Sequence, residues 1–261
     1  MRIKDWGYLI VLIILAMIIP RIMLFYIVCG IIDFKRNNKF DLANWKRYFL
    51  GNGLFTWILS PFNLFMDLLC HKNKGIYKLE ELPQECQDEL IKLIDIAKNK
   101  PELINELGKI MDEKRRGMIF FKWYGKNIDN SILIPEFHQP FKYIKTIGIS
   151  VFNKHQETSV HYGPLRVTLR VLYNLIPIDS DSVYIRATNQ VHKWKDNPLF
   201  IFDDTLVHQS VNHSDQVRYV LFVDIARPSN HLKLMHKILT IVRLCSISVN
   251  RIFYKNWDMI K

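Results

Sequence analysis

The feature that most constrains this chain is a long apolar stretch close to its N-terminus. Between Gly7 and Ile32 the sequence reads GYLIVLIILAMIIPRIMLFYIVCGII, and its one charged residue is Arg21. At about 1.5 Å per helical residue, a helix of this length crosses the roughly 30 Å hydrocarbon core of a bilayer. The stretch predicts a transmembrane helix over about residues 7–32. Because Pro20 interrupts it, a cleaved signal peptide is the alternative.

The flanks of this stretch predict its orientation. Two basic residues precede it and five follow it between residues 35 and 47, so the positive-inside bias places the rest of the chain in the cytoplasm. A second apolar stretch, Leu54 to Leu69, contains Pro61, Asn63 and Asp67 and is short for a span. It predicts an interfacial or re-entrant segment, with a second crossing as the alternative. Residues 1–75 are therefore predicted to form a membrane anchor.

Charge is distributed unevenly along the chain. The formal net charge is +11, but residues 79–228 carry 19 Lys and Arg against 20 Asp and Glu, so the excess lies at the two ends. Those ends are also the most apolar parts of the sequence, which is typical of membrane contact and argues against nucleic-acid binding. The four cysteines lie far apart without a CxxC pair, so neither a zinc knuckle nor a disulfide framework is indicated.

The periodicity of apolar residues changes twice after residue 75. Residues 76–116 have helical spacing broken at Pro101, which predicts two amphipathic helices. From Ile144 to about residue 228 the period approaches two, which predicts a mainly β core of five or more short strands. Residues 229–261 predict a basic amphipathic helix on the membrane surface, with an apolar face formed by Leu232, Met235, Leu239, Val242, Val249 and Phe253.

Two histidines lie at predicted strand ends within this β core. His161 stands in SVHYGP and His208 in FIFDDTLVHQS, while Arg218 lies inside the apolar strand VRYVLFVDI, where a charge is costly unless it is paired. Two imidazoles and an arginine suit an Fe(II) site that holds a dicarboxylate co-substrate and oxygen. The usual carboxylate ligand is missing, because Gly163 stands two residues after His161. Each histidine could instead be an ordinary surface or core residue, and His208 with His213 is a competing ligand pair.

Four ordered motifs carry a resemblance over residues 149–228. H-Y-G-P at 161–164, L-R at 169–170, F-D-D-T-L-V-H at 202–208 and R-Y-V-L-F-V-D-I-A-R-P at 218–228 together resemble the aspartyl/asparaginyl β-hydroxylase family. The resemblance implies an oxygenase domain over 76–228 with a double-stranded β-helix (jelly roll), dependent on Fe(II), 2-oxoglutarate and O2. It also implies site residues: His161 and His208 as iron ligands, Arg218 paired with the distal carboxylate of 2-oxoglutarate, and Ser150 and Arg170 at further co-substrate positions.

The H-x-G form at His161 is typical of the family's peptide hydroxylases, where water replaces the missing carboxylate. Asp203 and Asp204, just before the distal histidine, are interpreted as structural, or else as partners that orient an imidazole.

The two ends of the chain resemble one branch of this family. An N-terminal span, a basic stretch, SPFNLFMDLL and the ending FVDIARP are similar to the bacterial lipid A acyl-chain 2-hydroxylases. This implies hydroxylation at position 2 of a lipid A secondary acyl chain, on the cytoplasmic face of a bacterial inner membrane. Gly163 departs from that branch, which typically has aspartate there. Three alternatives remain: a hydroxylase of another membrane lipid such as ornithine lipid, a peptide aspartyl/asparaginyl β-hydroxylase, and an inactive membrane scaffold.

Overall fold

The computed structural model of the chain describes residues 3–38, 40–111, 115–246 and 257–260. Within these ranges the core is mainly β, and helices flank it, as the sequence predicts. The helices are α1 (Ile3–Ile18), α2 (Pro20–Lys35), α3 (Leu42–Leu50), α4 (Leu54–Ile58), α5 (Ser60–Leu69), α6 (Gln84–Lys98), α7 (Pro101–Ile110) and α8 (Leu232–Ser246). The strands are β1 (Ile76–Tyr77), β2 (Arg116–Trp123), β3 (Lys126–Asn127), β4 (Ile144–Phe152), β5 (Gln156–Glu157), β6 (Thr168–Asn174), β7 (Val183–Ala187), β8 (Gln190–Lys193), β9 (Leu199–Phe202), β10 (His208–Asn212), β11 (Arg218–Ala226) and β12 (Asp258–Met259).

The strands form two sheets. The larger sheet has the order β1-β9-β6-β11-β4-β2-β12, with β3 paired to β2, and the smaller has the order β5-β10-β7-β8. Pairing is antiparallel except between β12 and β2. Apolar residues of both sheets share one buried cluster, so the sheets pack face to face.

Side-chain alternation in the larger sheet determines what faces its interior. Along β11, Leu221 and Val223 belong to the outer cluster that the sheet shares with α6 and α7, whereas Val220 and Phe222 belong to the cluster shared with the smaller sheet. Successive side chains of a strand point to opposite faces. Arg218 is therefore on the interior face of β11. By the same rule, Ser150 on β4 and Arg170 on β6 also face the interior.

The apolar stretch over residues 7–32 forms two helices and not the one continuous helix predicted. Ile19, between α1 and α2, has φ −130° and ψ 59°, and Pro20 is the first residue of α2. Proline disfavours the helical conformation in the residue that precedes it, which explains why the helix ends there. Across the described ranges, every helix is too short or too polar to span a membrane.

The segment predicted to be interfacial, residues 54–69, forms α4 and α5 and contacts the β core. Thr56 Oγ1 donates a hydrogen bond to the carbonyl of Gly163 at 3.0 Å. The Asn63 amide donates to the carbonyl of Pro164 at 3.1 Å and accepts from the backbone N–H of Arg166 at 3.0 Å. This segment therefore supports the loop that follows His161; its contact with a membrane stays a prediction.

The helices on either side of the β core follow the predicted pattern in part. The break between α6 and α7 lies at Pro101, as the sequence predicts. In α8, Met235 and Leu239 are buried in a cluster with Met66, Val167 and Ala226, so the predicted apolar face packs against the protein here. Val249 and Phe253, on the predicted continuation of that face, lie outside the described residues.

A buried ion network joins the N-terminal helices to the β core. The guanidinium of Arg166 contacts Asp33 of α2, Asp67 of α5 at 2.9 Å and Asp203 at 3.1 Å, and Arg36 contacts Asp203 at 2.8 Å. Burial acts against ionisation of Asp203, but the neighbouring arginines hold its pKa below the ordinary value. Asp203 is thus structural, the first of the two roles that the sequence leaves open for it.

Candidate metal and co-substrate site

His161 and His208 lie side by side between the sheets. Their backbones form an isolated β-bridge, in which His161 N–H donates to His208 O at 3.0 Å and His208 N–H donates to His161 O at 2.9 Å. The ring centroids are 4.2 Å apart. The structure therefore brings together the two histidines that the sequence analysis pairs.

Hydrogen bonds fix the tautomer of both rings. Nδ1 of His161 lies 2.7 Å from the carbonyl of Ser159, and Nδ1 of His208 lies 2.8 Å from the carbonyl of Leu206. A carbonyl only accepts, so each Nδ1 must carry the hydrogen, and each Nε2 is left with a lone pair. Burial, together with the neighbouring His208, lowers the pKa of His161 to about 3, and burial lowers the pKa of His208 to about 4. Both rings are neutral at pH 7, as metal ligands must be.

A carboxylate occupies the space beside Gly163. A Cβ atom at Gly163 would lie 2.0 Å from Asp204 Oδ2 and 2.6 Å from Asp204 Cγ. The other oxygen, Oδ1, lies 3.4 Å from Nε2 of His208 and 2.9 Å from Nη1 of Arg170. Asp204 thus fills the position that a side chain at residue 163 would take. The sequence analysis considers Asp204 only as a structural or orienting residue, because linear spacing gives no sign that it meets Gly163.

Arg218 is a buried cation next to this pair. Arg218 is 1% exposed. Its Nη2 donates a hydrogen bond to Ser210 Oγ at 2.7 Å, and its Nη1 donates one to the carbonyl of Val211 at 3.4 Å. Its guanidinium also lies over the ring of Phe152, 4.2 Å from the centroid. Among the described residues no carboxylate pairs with it, and its Nε has no hydrogen-bond partner.

Burial lowers the pKa of the Arg218 guanidinium, but its ordinary value is so high that the group stays charged at neutral pH. A buried cation without a counter-ion is expensive, so the place suits an anionic ligand.

Arg170 differs from Arg218 in its partners. Its Nε donates to Asp224 at 2.7 Å, its Nη1 to Asp204 at 2.9 Å, and its guanidinium lies 4.0 Å from the centroid of the Phe222 ring. These two carboxylates already balance its charge. The role of Arg170 in holding a co-substrate stays a prediction.

Two cavities meet at His161 and Arg170. One is a pocket of about 60 Å³ that contains both histidines together with Ser150, Ser210 and Arg218. The other is a cleft of about 160 Å³ with mainly apolar walls, lined by residues that include Trp123, Tyr124, Leu165, Val242 and Trp257. A third cavity of about 240 Å³, beside Pro228, holds none of the predicted site residues.

The donor set fits a metal ion held by two protein ligands. Within the described ranges, no group of three or more His, Cys, Asp or Glu side chains is arranged to hold a metal. Two neutral imidazoles with unprotonated Nε2 atoms fit an ion such as Fe(II), provided that water and a co-substrate supply its other ligands. The side chain of His213 is 48% exposed, lies 3.2 Å from Glu157 and lines neither cavity. The competing pair of His208 with His213 therefore does not form the pocket.

Fold and site together define a two-sheet β protein whose pocket holds two neutral histidines and a buried arginine. The model of the aspartyl/asparaginyl β-hydroxylase family matches residues 84–228, which is more than half of the chain. The chain belongs to this family.

Relatives of the chain are similar over part of its length. An ornithine lipid ester-linked acyl 2-hydroxylase of Rhizobium tropici is 38% identical over 86 residues, which are 33% of this chain and 31% of that protein. The match thus spans about a third of that relative. An oxidoreductase of the 2OG-Fe(II) oxygenase family from Burkholderia pseudomallei is 14% identical, with a TM-score of 0.27 over 33% of this chain and 44% of its own. A protein of Photorhabdus luminescens is 11% identical, with a TM-score of 0.29 over 47% and 89%.

Proposed function

We propose that this protein is an Fe(II)- and 2-oxoglutarate-dependent dioxygenase with a jelly-roll core that hydroxylates position 2 of an acyl chain in a membrane lipid. The observation that carries the proposal is Arg218, a buried cation without a carboxylate partner among the described residues, in the same pocket as two neutral histidines. An inactive scaffold would gain nothing from such a cation, since a buried charge without a partner lowers stability.

Arg218 would bind the distal carboxylate of 2-oxoglutarate. Charge-assisted hydrogen bonds between a guanidinium and a carboxylate are about twice as strong as neutral ones. Ser210 and the ring of Phe152 hold the guanidinium in place, so little freedom is lost on binding. Ser150, on the interior face of β4, lines the same pocket and would contact the co-substrate.

His161 and His208 would hold Fe(II) through their Nε2 atoms. When bound, Fe(II) with 2-oxoglutarate and O2 supplies the oxidant for inserting one oxygen atom into a C–H bond. The protein supplies position and environment: the carbonyls of Ser159 and Leu206 fix both imidazoles. Asp204, whose carboxylate fills the space beside Gly163, would accept a hydrogen bond from a water molecule that completes the ligand set.

The N-terminal helices would lie against the cytoplasmic face of a bacterial inner membrane. Many of their apolar side chains are exposed, including Met17 at 79% and Ile18 at 70%. Exposed Arg21, Lys35 and Lys46 lie on the same helices, and each basic residue near an anionic bilayer adds about 1 kcal/mol of attraction. Apolar and basic side chains together favour contact with lipid over contact with water.

Lipid A, through its secondary acyl chains, is the substrate we propose first, and ornithine lipid is the second candidate. The ends of the chain favour lipid A by their resemblance to the 2-hydroxylases of that lipid. The second is favoured by the Rhizobium tropici relative, whose name gives ornithine lipid as its substrate. Both lipids offer an acyl chain whose position 2 stands next to a carbonyl group.

Mass spectrometry of lipids tests this proposal. Total lipid A and ornithine lipid are compared between cells that express the wild type, His161→Ala, or His155→Ala as a matched control on an exposed histidine. We expect one added oxygen atom on an acyl chain in the wild type and the control, and none in His161→Ala. An added oxygen atom on ornithine lipid alone would make ornithine lipid the substrate in place of lipid A. No added oxygen on any lipid would contradict the proposed function and favour a peptide substrate.

A further inference from the structure

We propose that the apolar cleft beside the histidine pair binds the acyl chain, and that Val242 of α8 forms part of the wall that contacts this chain. This inference rests on the proposed function, which it deepens by placing the substrate. It gives α8 a role in the substrate site, whereas the sequence predicts only a helix on the membrane surface.

The walls of the cleft match an acyl chain. Apolar surface comes from Trp123 at the end of β2, Tyr124 directly after it, Leu165 in the loop after His161, and Trp257. An apolar cavity of about 150 Å³ is large enough to bind benzene, and this cleft has about 160 Å³. Its volume therefore accommodates a chain segment of about that size, next to His161.

The charged residues of the cleft are paired with each other. Arg170 and Asp204, both of which line it, form an ion pair of 2.9 Å. A polar or peptide substrate would place amide groups against walls that are mainly apolar, and burying such groups without hydrogen bonds is unfavourable. An alkyl chain has no such groups, so the cleft favours it.

Helix α8 is held against the protein on both sides of Val242. Met235 and Leu239 are buried in the core, and Val242 follows Leu239 by three residues, which keeps it on the same face of the helix. The next residue, Arg243, donates a hydrogen bond to the carbonyl of Tyr124 at 3.3 Å. Val242 is therefore a fixed part of the wall, and a larger side chain there would fill the cleft.

The outer face of α8 carries apolar side chains that do not line the cleft. Ile241 and Leu244, which flank Val242 on the helix, are 60% and 63% exposed. Ile241 provides a matched control, because it is apolar, adjacent in sequence and outside the cleft.

A fluorescent fatty acid measures the cleft directly. The full chain, kept metal-free in CHAPS, a detergent without a linear acyl chain, is titrated with cis-parinaric acid excited directly, so that an added tryptophan does not contribute. One methylene in an apolar pocket changes affinity by about tenfold or more, so we expect Val242→Trp to raise the Kd at least about tenfold. Ile241→Trp should stay within about twofold of the wild type.

Two outcomes would overturn the inference: no saturable binding to the wild type, or equal Kd values for Val242→Trp and the wild type. If Val242→Trp does not fold, Leu165→Trp obstructs the same cleft from the loop side, and we expect it to raise the Kd by the same factor. Anaerobic titration of the wild type with Fe(II) and 2-oxoglutarate, followed by its charge-transfer absorption, tests the proposed function separately. Absence of this absorption band would contradict the proposed oxygenase function. The fatty-acid titration would still show whether the cleft binds an acyl chain.

Discussion

Arg166 and Arg218 are both 1% exposed, yet their surroundings are opposite. Arg166 contacts three carboxylates, and although burial disfavours its charge, these neighbours raise its pKa. Arg218 contacts a hydroxyl, a carbonyl and aromatic rings, and burial lowers its pKa. The charge of Arg166 is balanced by carboxylates within the folded protein. The charge of Arg218 would be balanced only when an anion binds, as we propose for 2-oxoglutarate.

Two buried arginines can thus differ in role, because Arg166 stabilises the fold whereas Arg218 is proposed to bind a ligand. Arg166 joins Asp33 and Asp67 of the N-terminal helices to Asp203 of the β core, so its ion pairs stabilise the arrangement of these parts. Arg218 faces a pocket with two neutral histidines, where its charge can recognise a co-substrate. The same substitution by methionine should therefore affect the two arginines in opposite ways.

The largest expected effect on stability is that of Arg166→Met. The substitution leaves Asp33 without an arginine partner among the described residues and removes one of the two arginines that contact Asp67 and Asp203. Breaking a buried ion pair in this way costs about 3–5 kcal/mol. Chemical denaturation should show a loss of that size in the free energy of unfolding. Arg186→Met, which removes an exposed arginine from β7, is the control and should change it by less than about 0.5 kcal/mol. Equal effects of the two variants would contradict the structural role of Arg166.

Gly163→Ala should have the next largest effect. The new Cβ would meet Asp204 Oδ2 at 2.0 Å and the backbone oxygen of Asp204 at 2.8 Å. Overpacking of this kind costs about 1–3 kcal/mol. The double variant Gly163→Ala/Asp204→Ala should recover part of the loss, since one of the two clashing groups is gone. Gly7→Ala is the control, because nothing lies within 4 Å of a Cβ there. Strictly additive effects in the double variant would show that residue 163 and Asp204 do not touch.

The two histidines of the site predict a pH dependence of the metal-free protein. Their pKa values of about 3 and about 4 lie below the ordinary value of 6.5, so between about pH 6.5 and 4 the unfolded chain binds more protons than the folded chain. Stability should therefore fall as the pH falls through this window, by at most about 1.4 kcal/mol per pH unit for each histidine. Urea denaturation in the presence of a chelator measures it.

The matched variants assign this slope to the histidine pair. His161→Gln/His208→Gln should flatten the dependence, whereas His155→Gln, on a side chain that is 62% exposed, should leave it in place. A slope that survives in the double variant would mean that other groups cause it.

The smallest expected effect on stability is that of Arg218→Met. Replacing a buried charge that has no carboxylate partner with an apolar side chain of similar length is often neutral or stabilising. We expect the free energy of unfolding to stay within about 1 kcal/mol of the wild type or to rise. A loss comparable to that of Arg166→Met would remove the distinction between the two arginines.

Much of the β core and of the candidate site could be predicted from the sequence. Period-two runs locate most strands after Ile144, and the apolar run VRYVLFVDI marks Arg218 as a charge within a strand. His161 and His208 are found as a pair because both lie at strand ends. Strand β2 lies before this region, in a stretch to which the sequence analysis assigns no element.

The features that sequence reasoning missed depend on contacts between distant residues. Nothing in the local sequence shows that Asp33 and Asp67 meet Arg166, or that Asp204 occupies the space beside Gly163, because each pair is brought together only by the tertiary fold. The helix break at Ile19 is different. Pro20 is visible in the sequence, but the prediction of one continuous helix gave more weight to the apolar composition of the stretch than to the effect of proline on Ile19.

Co-substrate binding by Arg218→Met tests the central claim most directly. Isothermal titration of 2-oxoglutarate into the anaerobic Fe(II)-loaded protein gives the Kd for the wild type, for Arg218→Met and for the exposed-arginine control Arg186→Met. Truncating one partner of a buried charge pair costs about 2–5 kcal/mol, so Arg218→Met should raise the Kd by at least about thirtyfold while its stability is preserved. An unchanged Kd in this stably folded variant would contradict the claim that Arg218 binds the co-substrate.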